Sequence, residues 1–199
     1  MKHLTHRRAP GLLPALLLVL CLPSLAYAQA ESGRGVSFGI GGGVSVPVRS
    51  AKDAFKNGFN GQAMIRLDLG SLPLALRGEF AYQSFDLRAE ALAGTGGTHG
   101  TGTLLGGLGS AQVYLFPGHV RPYLLAGVGA YSVKIEHDAV ATPSHSDTRL
   151  GVSGGAGLEF AFGSLSLYAE GRFDHVFAKS GAARTDALQI VPLSCGVLF

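Results

Sequence analysis

From Val36 to the end of the chain, apolar residues fall on every second position in stretch after stretch. This period of two confines the chain to β-structure, because side chains of a strand alternate between its faces. The first stretch, Val36–Val48, is the cleanest. Val36, Phe38, Ile40, Val44, Val46 and Val48 share one face, and Ser37, Gly39, Gly41, Gly43 and Ser45 share the other. In Gly58–Leu69, Phe59, Ala63, Ile65, Leu67 and Leu69 alternate with Asn60, Gln62, Arg66 and Asp68. In Leu74–Ser84, Leu74, Leu76, Phe80 and Tyr82 alternate with Arg77, Glu79 and Gln83.

The fourth stretch, Thr103–Phe116, is the least regular, since Leu104 and Leu108 share a face with Ser110, Gln112 and Tyr114. In the fifth, Tyr123, Leu125, Tyr131, Val133 and Ile135 oppose Ala126, Ser132, Lys134 and Glu136. In the sixth, Leu150, Val152, Leu158, Phe160 and Phe162 oppose Ser153, Gly155, Gly157 and Glu159. In the seventh, Leu165, Leu167, Ala169 and Phe173 oppose Ser166, Tyr168, Glu170, Arg172 and Asp174. The eighth closes the chain with Val191, Leu193, Cys195, Val197 and Phe199 on one face. Clusters of Gly, Pro, Ser, Asp and Asn separate the stretches, and no segment carries a helical period.

The N-terminus is a targeting segment. Lys2, His3, His6, Arg7 and Arg8 precede an apolar run from Leu12 to Leu22, followed by Ala26-Tyr27-Ala28. This is a secretory signal with an A-x-A cleavage site, and cleavage is expected after Ala28, with Ser24 to Ala26 as the alternative. The run is short of the roughly 20 residues that cross a bilayer. Of 199 residues, removal of 28 leaves 171, a single domain from residue 29 to residue 199. Sixteen basic residues oppose 13 acidic ones, and loss of Lys2, Arg7 and Arg8 leaves 13 of each. The basic pI therefore belongs to the targeting segment, and no nucleic-acid partner is expected. Cys21 departs too, so Cys195 remains alone and no intrachain disulfide can form.

Alternation alone does not say whether the apolar face meets a core or a membrane. Stretches of about 9–13 residues suit tilted membrane strands better than those of a soluble sheet. The connectors alternate, short at Gly70–Pro73, Pro117–Arg121 and Gly163–Ser164, and longer at Arg49–Asn57, Phe85–Gly102, His137–Thr148 and Val176–Asp186. Short turns on one rim, long loops on the other and an even strand count are the outer-membrane pattern. Aromatics fall near the strand ends, with Phe38, Tyr123, Phe160, Phe162 and Phe199 on the short-turn side and Phe59, Tyr82, Tyr131 and Phe173 on the other. These form two interfacial girdles. The expected fold is all-β, an eight-stranded antiparallel up-and-down transmembrane β-barrel.

The segments RPYLLAGVGAYSVK (Arg121–Lys134), GVSGGAGLEFAFG (Gly151–Gly163), LSLYAEGRF (Leu165–Phe173) and the terminal Phe199 resemble the small eight-stranded outer-membrane barrels of Gram-negative bacteria, the OmpX and OmpA transmembrane type. The resemblance implies an integral outer-membrane protein. It also implies that Val197 and Phe199 form a terminal assembly signal read by the barrel-assembly machinery.

Eight strands leave an interior just wide enough for side chains. The polar faces supply Arg66, Asp68, Arg77, Glu79, Glu159, Glu170, Arg172 and Asp174, with Lys134 and Glu136 from the fifth strand. Small residues on the first and eighth strands oppose them. Charges in so narrow a tube must be paired, so a salt-bridged plug is expected, with a conducting lumen as the alternative. Asp174-His175 with Ser180 in the next loop is the one arrangement touching Ser–His–acid chemistry, as in lipid A-modifying barrels, and no motif surrounds it. His137-Asp138 and His145-Ser146-Asp147 fit no regular metal spacing. Gly94–Gly102 lacks the Lys and helix of a phosphate loop. No cofactor, metal or catalytic residue is expected.

At the long-loop rim, Arg49, Lys52 and Lys56 face Asp53, and Lys179 and Arg184 face Asp186, an excess of three positive charges. The fourth long loop neighbours the first once the barrel closes, and the anionic phosphates of lipopolysaccharide lie beside both. The expected protein is a monomeric, non-enzymatic outer-membrane barrel with a structural or surface-interaction role. Its expected partners are lipid, lipopolysaccharide and the assembly machinery. A passive conduit for small or apolar solutes and a lipid A-modifying enzyme are the alternatives.

Overall fold

A computed structural model describes residues 35–49, 51–70, 72–88, 100–137, 146–178 and 187–199. The expected signal segment lies outside them. Eight strands follow in order: β1 (Val36–Pro47), β2 (Gly58–Asp68), β3 (Leu74–Asp86), β4 (Gly100–Tyr114), β5 (Val120–His137), β6 (Ser146–Phe162), β7 (Leu165–Val176) and β8 (Leu188–Leu198). Each pairs antiparallel with the next, and β8 returns to β1 to close an up-and-down barrel. Closure leaves no sheet edge, which is what lets β-structure cross lipid. The last residue takes part, because Phe199 and Phe38 exchange both backbone hydrogen bonds at 2.8 Å.

The barrel is inverted relative to a soluble protein. Ile40, Val44, Phe59, Ile65, Phe80 and Val128 stand exposed on the outer wall, while Arg66, Arg77, Glu79, Glu159, Arg172 and Asp174 are buried inside. The inward-facing set of β1, β2, β3, β6, β7 and β8 is the one their alternation indicates. Leu104 and Leu108 also point inward from β4, each under one-tenth exposed.

The fifth strand corrects the sequence reading. Tyr123, Leu125 and Tyr131 are buried in the lumen, whereas Leu124 and Val128 face outward at 50% and 65% exposure. Tyr123 and Tyr131 therefore leave the expected aromatic girdles, and Lys134, an even position, leaves the lumen for the outer face; the Glu136 side chain lies outside the described set. The cause is physical: β5 is apolar on both faces, its inner side packing a lumen layer and its outer side meeting lipid, so its alternation carries no sign. Several strands also run further into the loops than expected, with 15 residues in β4, 18 in β5 and 17 in β6. A further difference is a single helical turn, α1 (Ala51–Ala54), in the first loop.

The tightest connection, Gly163–Ser164, turns β6 into β7 with Gly163 at φ 64°, a left-handed conformation glycine adopts without steric cost. Elsewhere glycines make room rather than turns. A Cβ on Gly151 would lie 2.8 Å from the Tyr131 ring and 2.8 Å from the His175 carbonyl, whereas one on Gly107 would meet nothing within 4 Å. We therefore expect Gly151→Ala to lower barrel stability by about 1–3 kcal/mol through overpacking and Gly107→Ala to change it by less than about 0.5 kcal/mol, measured by urea unfolding in detergent micelles.

Candidate functional site

The site is the lumen, and its polar side chains are arranged in tiers along the barrel axis. At the short-turn end, fully buried Glu159 accepts hydrogen bonds from Arg66 at 2.7 Å, from the Tyr114 hydroxyl at 2.9 Å and from Arg121. Arg66 also donates to Asp68 at 3.3 Å, and the Arg121 guanidinium lies 5.0 Å from the Tyr114 ring centroid. Two arginines and two carboxylates balance this tier.

The next tier joins opposite walls. Arg77 and Glu79 on β3 face Glu170 and Arg172 on β7, four strands away around an eight-stranded ring. The order is reversed between the two strands, Arg-x-Glu on one and Glu-x-Arg on the other, so each charge meets its opposite across the lumen. Arg77 donates to Glu170 at 2.6 Å and also to Glu79, while Arg172 donates to Glu79 at 2.5 Å. Tyr123 adds a bond to Glu170 at 2.8 Å. Arg172 reaches Gln62 at 3.4 Å, and Gln62 donates to the Tyr168 hydroxyl at 2.8 Å. Again two cations match two anions.

A third tier is almost uncharged. The Ser194 hydroxyl donates to Asn60 at 2.8 Å, Asn60 to Ser45 at 3.2 Å, Ser45 to Gln83 at 2.9 Å and Gln83 to Asp174 at 3.3 Å. Ser153 donates to the other Asp174 oxygen at 2.6 Å. Asp174 is thus held by neutral donors, all directed toward it.

Above these tiers the lumen turns apolar. Ala81, Phe85, Leu104, Leu108, Tyr131, Val176 and Ile190 form one buried cluster, with Phe55, Val133 and Leu188 packed on it. Helix α1 bends the first loop back over this layer. Phe55 bonds to Ala51, bridges Leu87 and meets Phe85 at a ring separation of 5.8 Å. The small cavity lined by Phe55, Phe85, Leu104 and Ile190 holds about 10 Å³ of free space, about the least that one water needs.

Of the lumen residues that the alternation indicates, the structure brings together Arg66, Asp68, Arg77, Glu79, Glu159, Glu170, Arg172 and Asp174, but not Lys134. It adds Tyr114, Tyr123, Arg121 and the neutral chain to them. Tyr114, Gln62, Gln83 and Asn60 were visible as inward polar positions. Tyr123 was not, because its ring counts as apolar, and Arg121 fell in an expected turn. Arg49, Lys52 and Lys56 are exposed at the loop rim. There they are joined by Arg88, whose backbone donates to Ala54 at 2.9 Å and whose side chain donates to the Phe55 carbonyl at 3.2 Å. Lys179 and Arg184 lie outside the described residues, as does Ser180. His175 faces the outer wall, 3.0 Å from Gln189, while Asp174 faces the lumen. The two therefore occupy opposite sides of the strand and do not form an acid–base pair. Among the described residues no group of three or more His, Cys, Asp or Glu side chains is placed to hold a metal ion.

The model of the outer membrane protein beta-barrel domain family matches residues 14–190. The chain belongs to that family. It is an integral outer-membrane β-barrel. No curated protein sequence matches it, but several solved barrels share its fold. Neisserial surface protein A is 16% identical, with a TM-score of 0.61 over 84% of this chain and 96% of its own. Ail of Yersinia pestis, solved with the heparin analogue sucrose octasulfate, is 18% identical, with a TM-score of 0.53 over 83% of this chain and 99% of its own. A major outer-membrane protein of Thermus thermophilus is 13% identical, with a TM-score of 0.50 over 83% of this chain and 98% of its own.

Removing one member of a buried pair leaves a charge with no partner, at a cost of about 3–5 kcal/mol, whereas removing both is close to neutral. We expect Arg77→Met and Glu170→Met each to lower stability by about that amount and the double variant to recover most of it, as read by urea unfolding in micelles. Additive losses would show that the two residues act independently.

Proposed function

We propose that this protein is a non-conducting, non-enzymatic outer-membrane barrel that works at the cell surface through its loop-side rim. The observation that carries the reading is the doubly closed lumen. Ion-paired tiers fill one end and an apolar layer under Phe55 seals the other, so chemistry and transport have no space inside, and what remains presentable is the rim. Export through a signal cleaved after Ala28, and assembly as a monomer, belong to the same reading.

The rim offers a cationic surface. Arg49, Lys52, Lys56 and Arg88 stand around the first loop with Asp53 and Asp86 as the nearby anions, and Lys179 and Arg184 of the fourth loop add to it by sequence. Its partner is the phosphate-bearing face of lipopolysaccharide in the surrounding leaflet. That a barrel of the same fold, Ail, was captured with a polysulfated sugar supports a polyanion as the class of ligand.

Charge reversal at Lys52, Lys56 and Arg88 together is expected to weaken binding to lipopolysaccharide-containing vesicles by about tenfold or more at low salt, since each basic residue near an anionic surface contributes about 1 kcal/mol. Added salt should weaken the parent in the same way, because exposed charges are screened beyond about 8–10 Å. Equal binding by parent and variant at low salt would return the rim to an ordinary solvated surface.

The terminal strand carries a separate expectation. Phe199 seals the β1–β8 seam through two backbone bonds, and with Val197 it forms the proposed assembly signal. Deleting Phe199 should lower the amount of folded barrel in cell envelopes several-fold while reducing refolding yield in detergent only slightly. Equal loss in both assays would make it an ordinary packing residue.

A further inference from the structure

Among the described residues, seven of the eight seams of the barrel run without a gap. The β7–β8 seam does not. Its pairs run from Ser166↔Leu198 to Gly171↔Leu193 and resume only at Asp174↔Ile190, omitting Arg172 opposite Pro192 and Phe173 opposite Val191. On its other side Pro192 stays in register, opposite Ser45 of β1.

One missing atom explains both omissions. In an antiparallel ladder a residue directs its N–H and C=O toward the same neighbour, and alternate pairs exchange both bonds. Pro192 has no N–H to give, and the break falls on its β7 side. The carbonyl of Arg172 therefore loses its donor. The Phe173–Val191 pair is framed by the bonds of its neighbours, so it loses one side of its frame. Proline is ordinarily confined to strand ends, edges and bulges. In a barrel wall the constraint is stronger, since a carbonyl without a partner in hydrocarbon finds no water.

The surroundings of the break bear on what it can do. On the outer wall Phe173 is 41% exposed and meets lipid. On the inner side Arg172 of the ion-paired tier and Asp174 of the neutral tier are buried at the break, and Ile190 of the apolar layer stands opposite Asp174. Pro192 itself is fully buried. The wall thus lacks a hydrogen bond between lipid on one side and, on the other, the point where the polar tiers of the lumen give way to the apolar layer.

We propose that the β7–β8 seam at Pro192 is where this barrel parts first, a lateral opening between lipid and the lumen at the junction of its polar tiers and its apolar layer. It goes beyond the surface role above and does not depend on it. Residue-resolved hydrogen exchange of the full-length mature protein in lipid nanodiscs tests it. The amides of Arg172, Asp174 and Ile190 should exchange at least tenfold faster than those of Ala63 and Phe80 in the uninterrupted β2–β3 ladder. Pro192→Val, which restores the N–H, should slow exchange at Arg172 and Asp174 at least tenfold and leave the β2–β3 amides unchanged. Exchange in the parent as slow at this seam as at β2–β3 would overturn the proposal without need of any variant. Equal slowing of all seams by Pro192→Val would overturn it too, by showing a global rather than a local effect.

Discussion

A charge taken into a narrow, water-poor tube must meet an opposite charge there, and the interior of this barrel is organised around that requirement. The β3 and β7 walls carry Arg77–Glu79 and Glu170–Arg172 in opposite order, and the β2 and β6 walls meet through Arg66 and Glu159. Each of these bonds links strands on opposite sides of the ring. They fix the diameter and rotational setting of the barrel in a way that backbone ladders between adjacent strands do not. Such pairs add little net stability compared with apolar packing, but a broken pair costs several kcal/mol, so they exclude alternative registers. A one-residue slip of any strand would turn its charges into lipid.

Much of this was legible in the sequence because a membrane barrel makes its alternation unusually sharp. In β2, β3 and β7 large apolar residues face out and charged ones face in, and the two sets cannot exchange. Where both faces of a strand are apolar, alternation carries no sign. Tyr123, Leu125 and Tyr131 look like lipid-facing residues by type, yet they line the lumen, and their position was decided by packing against β4 and β6 rather than by polarity. The phenol of Tyr123 was the available signal, since a buried hydroxyl seeks an acceptor and here finds Glu170. The cap over the loop-side end was not legible. A single helical turn and one phenylalanine lodged against Gly102 leave no periodic trace, and the glycine is meaningful only once the ring beside it is known.

The two halves of the lumen divide the work of closure. The tiered ion pairs occupy the short-turn end, where the fold is most regular, and the apolar layer beneath Phe55 occupies the end that long loops surround. The basic rim surrounds that cap, on backbone braced by Arg88 and α1. Among the described residues the wall is uniform in pairing except at Pro192. Rigidity inside, charge at the rim and one interrupted seam are the features by which this barrel differs from a plain membrane cylinder.

A closed lumen carries no ion current, which single-channel recording from the purified, refolded protein in planar bilayers reads out. The membrane should stay silent, with no stable conductance steps of porin size over a range of voltages. Reproducible, long-lived open steps from the unmodified protein would show that ions pass the paired tiers and the Phe55 cap, and would contradict a closed lumen.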